Sequence, residues 1–151
     1  MNEQSGNEGT RGDDRQPVRV GQAAAGSHGS WEVAIDQSVS GDEKWYLQID
    51  GTSCELYVEL LSLSRIVDVQ RILLRSLQGL PADPRFTDVT IGTLGGLPVD
   101  FLIDDERGCV RILVDAPDVT ALSISFCDHD LSQLAAAVDD LVGELKRQSY
   151  V

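Results

Sequence analysis

The chain has 151 residues, 42% of them hydrophobic and 25% charged, and a formal net charge of -13. Such a composition is too apolar for a wholly disordered protein and fits a single domain. The negative sign works against a phosphate backbone, and no apolar run approaches the roughly 18 to 20 residues of a membrane span, so neither nucleic acid nor membrane is an expected partner.

Residues 1–30 mix glycine with small and polar residues and hold little that could be buried, so a disordered polar tail is predicted there, followed by one domain over 31–148. Met1 to Gln4 begin no apolar leader, which makes a cytoplasmic location the expectation. From Trp31 the pattern changes. Trp31, Val33 and Ile35 alternate with polar neighbours, as do Trp45, Leu47 and Ile49, and then Leu56, Val58 and Leu60. Period-two alternation predicts three half-buried strands, with a turn at Ser40 to Glu43 and a tight hairpin at Asp50 and Gly51.

Ile66, Val69, Leu73 and Leu77 recur at helical spacing after Ser62 or Ser64, and Gly79 with Pro81 ends the run, predicting a helix over about 64–78. Four strands follow, at 87–93, 98–104, 109–115 and 120–126, set off by Gly95 and Gly96, by the Asp105 to Gly108 turn, and by Ala116, Pro117 and Asp118. Leu131, Leu134, Ala135, Val138, Leu141, Val142 and Leu145 then form one apolar stripe, capped by Asp128 and closed near Lys146 and Arg147, where cations suit the helix dipole. The order βββ-α-ββββ-α, with short connections, gives an α+β fold: one twisted, mainly antiparallel sheet with two helices on one face. The stretch Leu47 to Leu60 also lies ungapped on Phe101 to Val114, a match that generic amphipathic hairpins produce as readily as duplication does.

Charge is unevenly placed. Residues 86–145 hold twelve carboxylates against Arg107 and Arg111. Within them Asp100, Asp104, Asp105, Glu106, Asp115 and Asp118 fall at strand ends and turns, forming an expected acidic partner surface. The same residues lack the spacing of a calcium loop, so no metal is assigned. Arg71 and Arg75, one turn apart on the first helix, make a candidate anion or partner site, with a salt-bridged solvated face as the plainer account. Cys54, Cys109 and Cys127 show no metal spacing or disulfide framework and read as reduced thiols. Cys127 and His129, where the last strand meets the last helix, form an alternative reactive cluster, since a helix N-terminus favours a thiolate.

No catalytic motif or cofactor fingerprint emerges, and Gly92, Gly95 and Gly96 are explained by a hairpin turn. The functional expectation is a noncatalytic interaction module that offers an acidic surface to a basic protein partner. A homodimer is a further expectation, joined through the arginine-rich first helix of one copy and the acidic half of another. Small acidic adaptors, immunity proteins and secretion chaperones share this size and charge. The resemblance to type III secretion chaperones extends to short strands before a C-terminal helix, although that family's N-terminal helix has no counterpart here. The alternative expectation is a small-molecule-binding domain or minor enzyme, with a pocket between sheet and helices near Cys127 and His129.

Overall fold

The computed structural model describes residues 16–26, 29–39, 43–51, 54–80, 88–104 and 106–151. Eight strands form one antiparallel sheet in plain chain order: β1 (Val18–Ala25), β2 (Trp31–Gln37), β3 (Trp45–Gly51), β4 (Glu55–Leu60), β5 (Asp88–Leu94), β6 (Leu97–Asp104), β7 (Cys109–Ala116) and β8 (Val119–Cys127). Helix α1 (Arg65–Leu77) joins β4 to β5, and α2 (Asp128–Arg147) follows β8. The α+β class and the order of the expected elements hold, with one strand added in front.

Alternation along each strand sends Val33, Ile35, Leu47, Ile49, Val58, Val99, Phe101, Val110, Ile112 and Phe126 to a single face, where all are buried. Both helices cover that face and pack on each other: α1 lies over β5, β6 and β7, and α2 over β1, β2, β7 and β8. From α1 come Ile66, Val69, Ile72 and Leu73, and from α2 the whole anticipated stripe together with Ala137. The sheet curls far enough for Phe126 of β8 to meet Trp31 of β2 edge to face, with ring centroids 5.1 Å apart. Burying a side chain such as Phe101 contributes about 1.5 to 3 kcal/mol, so this one cluster supplies most of the cohesion.

The added strand corrects the expected tail, because Val18–Ala25 belongs to the sheet; residues 1–15 lie outside the described residues. Its inward positions hide the usual strand signal. A Cβ on Gly21 would stand 3.2 Å from Leu141 Cδ1, and Ala23 and Ala25 also pack against the core, so α2 leaves room there only for small side chains. Val20 is the residue skipped by a bulge between Arg19 and Gly21. Its carbonyl accepts a hydrogen bond from Gln148 Nε2 at 3.2 Å.

Two local expectations change as well. Gly51 pairs with Trp31 as a strand residue, and it is glycine because a Cβ there would strike the indole of Trp31. Cys127, in extended conformation, is the N-cap of α2, whereas Asp128 is the first helical residue and sits at φ 50°. The hairpin match seen in the sequence survives as register. It carries the pairs Ile49–Leu56 and Leu47–Val58 onto Ile103–Val110 and Phe101–Ile112, and Ile35–Leu47 onto Val89–Phe101.

The seam between the two halves of the sheet is thin. β4 and β5 pair only at Glu59–Thr93 and Leu60–Gly92, extended by the bond from Leu61 N to Ile91 O. Gly92 makes that approach possible, since a Cβ there would run into the carbonyl oxygen of Glu59. Gly92→Ala is therefore expected to cost at least about 2 kcal/mol by overpacking against backbone, against about 1 kcal/mol for Gly95→Ala in the open β5–β6 turn. Urea unfolding of both variants measures the difference.

Candidate functional site

The sheet face turned away from the helices carries the polar half of every strand. Near β1 it is organised by Asp36, whose side chain is only 10% exposed. Arg19 reaches across from β1, with Nε 2.9 Å from Asp36 Oδ1 and Nη2 3.4 Å from Oδ2, and Tyr57 of β4 donates its hydroxyl to Oδ2 at 2.8 Å. The same guanidinium donates to Gln48 Oε1 on β3 at 2.6 Å and to Gln22 Oε1 at 3.3 Å. Tyr46 stacks on Tyr57, with centroids 5.3 Å apart. Side chains from four strands thus meet around one carboxylate, and a buried charge partnered in this way is the arrangement that desolvation demands.

The electrostatics follow from the geometry. Burial raises the Asp36 carboxyl, but hydrogen bonds from Arg19 and Tyr57 outweigh it and hold the group below its ordinary value. Burial and the bond to Asp36 push the Tyr57 phenol well up, and the bond to Asp36 raises Arg19 further. What this network can do chemically is hold charge in place: Tyr57 is kept neutral and donating, and Arg19 is kept ionised.

Beside the network lies a cavity of about 250 Å³, lined by Arg19, Gln22, Ala24, Glu32, Ala34 and Gln48. Ala34 is its floor, placed by register between Gln22 of β1 and Gln48 of β3. In the adjacent row Glu32, Asp50 and Glu55 stand side by side on β2, β3 and β4. Further along the same face come Glu59, Asp88, Asp100 and Asp104. The Asp88 carboxyl is raised by partial burial and, to a smaller extent, by the charge of Asp100.

The acidic residues singled out in the sequence do not form one patch. Asp104 and Glu106 lie at the end of β7 where it begins, Asp115 and Asp118 at the end where it stops, and the strand between them is roughly 25 Å long at about 3.3 Å per residue. Asp105 lies outside the described residues. Asp100 accepts a bond from Thr90 Oγ1 at 2.6 Å, and Asp104 pairs with Arg111 at 3.5 Å. Among the described residues no three His, Cys, Asp or Glu side chains converge in a way that would hold a metal ion. On α1, Asp68 pairs with Arg65 at 3.1 Å and with Arg71 at 3.8 Å, the solvated salt-bridged face that was the plainer account, while Arg75 is half-buried in the last turn.

The reactive-cluster expectation is overturned at its sulfur. Cys127 is bonded to Cys109, its direct partner across β7 and β8, with Cα atoms 4.5 Å apart. That spacing is the close pair of an antiparallel ladder and within reach of a disulfide, so two of the three thiols expected to be reduced are joined. Cys54 is free, and burial followed by the charge of Asp50 pushes its thiol up, away from reactivity. His129 is exposed and shares a 2.6 Å hydrogen bond with Gln133. Cys127 and His129 therefore form no nucleophile and base. Comparison with protein families, with characterised proteins and with solved structures gave no match.

Two measurements test these features. Asp36 has a depressed pKa, so its stabilisation is present above about pH 4, the unfolded carboxyl value, and is lost as pH falls through the lower folded value. Tyr57→Phe removes one of the bonds that lower it, and is expected to cost about 1 to 2 kcal/mol at neutral pH and to move the acid unfolding limb to higher pH. Acid titration followed by circular dichroism measures the shift. Separately, the Cys109–Cys127 bond closes a loop with a sequence separation of 18, and its reduction should lower stability by about 3 kcal/mol, with the Cys109→Ala/Cys127→Ala variant insensitive to reductant.

Proposed function

We propose that this protein is a noncatalytic interaction module whose outer sheet face receives a basic protein partner. The observation behind this reading is the charge balance of that face. Two of its cations, Arg19 and Arg111, are paired with carboxylates of the same face, Asp36 and Asp104, and Lys44 stands just before β3. Among the described residues Asp50, Glu55, Glu59, Asp88 and Asp100 form no salt bridge and Glu32 feels only the charge of Arg19, so carboxylates are spread over five strands of one sheet. Negative charge fixed on a rigid scaffold accelerates encounter with a cationic surface and turns away acidic ones.

A second copy of the chain is one partner of this kind, because α1 carries Arg65, Arg71 and the half-buried Arg75 against the single acid Asp68. The enzyme alternative loses its pocket, because the space it needed between sheet and helices holds Phe101, Phe126, Leu134, Val138 and Leu141. No helix among the described residues is long and apolar enough to cross a membrane. Cytoplasmic residence stays part of the proposal on the condition that Cys109–Cys127 cycles with redox state, since a permanently oxidised bond belongs to an oxidising compartment.

The test is binding to immobilised polylysine over a salt gradient. The triple variant Glu55→Gln/Glu59→Gln/Asp88→Asn should elute at clearly lower salt than Asp139→Asn/Asp140→Asn/Glu144→Gln, which removes as much charge from α2. Equal losses would reduce the effect to net charge and reject the face as the binding surface.

A further inference from the structure

The cavity above Ala34 specifies more than a general attraction for cations. Its floor is a single methyl group, 3% exposed, set between two glutamines. Gln22 and Gln48 each accept from Arg19 at Oε1, an orientation that leaves their amide N–H groups to donate elsewhere. At the far end, one row along the strands, stands the Glu32 carboxylate. Glu32 faces Asp50 and Asp50 faces Glu55 directly across the ladder, pairings of like charge that destabilise a sheet in the absence of a cation. The cavity volume, about 250 Å³, is in the range of one long side chain with part of its backbone.

We propose that this cavity takes one lysine or arginine side chain from an extended segment of the basic partner. The aliphatic stem lies over Ala34 and Ala24, the cationic head meets Glu32 and Asp50, and the segment's own carbonyl groups accept from the Gln22 and Gln48 amides. Arg19 does not contact the cation. Locked by Asp36, it orients the two glutamines, so it is a positioning residue. The inference rests on the reading of the outer face as the partner surface and adds to it a single anchoring position.

The test uses the full chain and a fluorescent ten-residue peptide of alternating lysine and threonine, with fluorescence anisotropy at low salt. Ala34→Leu fills the cavity without changing charge and should weaken binding by about tenfold or more, because it removes the volume the stem occupies. Glu32→Gln should weaken it by about fivefold, more than the roughly twofold expected of Asp88→Asn elsewhere on the face. Glu32 is exposed, so its variant serves even if Ala34→Leu fails to fold. Wild-type affinity in a folded Ala34→Leu variant, or equal losses for Glu32→Gln and Asp88→Asn, would overturn the anchoring cavity and leave the acidic face standing. No binding by the wild-type chain would overturn both. Self-association abolished by Ala34→Leu would put a second copy in the cavity and overturn the choice of a foreign segment.

Discussion

Side-chain alternation in a single sheet sends each residue either to a face that must be covered or to a face that must be wet, and the eight strands here keep that choice in phase across the whole layer. A register slip of one residue in any strand would carry aliphatic groups to the solvent and carboxylates under the helices. Phase is adjusted at bulges, in β1 at Val20 and in β5 between Thr90 and Gly92. Because α1 and α2 both lie on the aliphatic side, no helix among the described residues covers the other side, and its character is set by the polar and charged side chains held there at strand spacing. The acidic face is a product of the core on its reverse.

The polar network shows how such a face is made rigid. Asp36 would be a costly charge if left alone under Tyr57 and Arg19. Bonded to both, it ties β2 to β1 on one side and reaches over β3 to β4 on the other. Gln48 brings β3 itself into the same cluster. Replacing one member leaves a partner unsatisfied, which is why removal costs more than the net worth of any one bond. Holding the edge strand β1 in this way also fixes Gln22 and Ala24, the outer wall of the cavity.

Elements with strong alternation or a long apolar stripe were legible in the sequence: Trp31, Val33 and Ile35 announced β2, and Leu131 to Leu145 announced α2. The strand at Val18–Ala25 was not, because its inward positions are glycine and alanine, kept small by the closeness of α2, and they give too weak an alternation to mark a strand. Nor was the disulfide, since the eighteen-residue separation of Cys109 and Cys127 becomes a contact only when the β7–β8 register is known. The acidic residues were grouped by nearness along the chain, which the length of β7 undoes. Arg19, Gln22, Glu32, Ala34, Gln48 and Tyr57 were invisible as a site for the opposite reason: they are far apart in sequence and adjacent only across rungs of the ladder.

The bond from Gln148 to the carbonyl of Val20 joins residues 128 positions apart. During synthesis β1 is made well before the residue that closes its bulged edge. Until then α2 is missing from the concave side, and a nascent meander presents both an unsealed margin and an uncovered aliphatic layer. Completion of this fold therefore waits for α2, which closes the margin and covers the layer in one step.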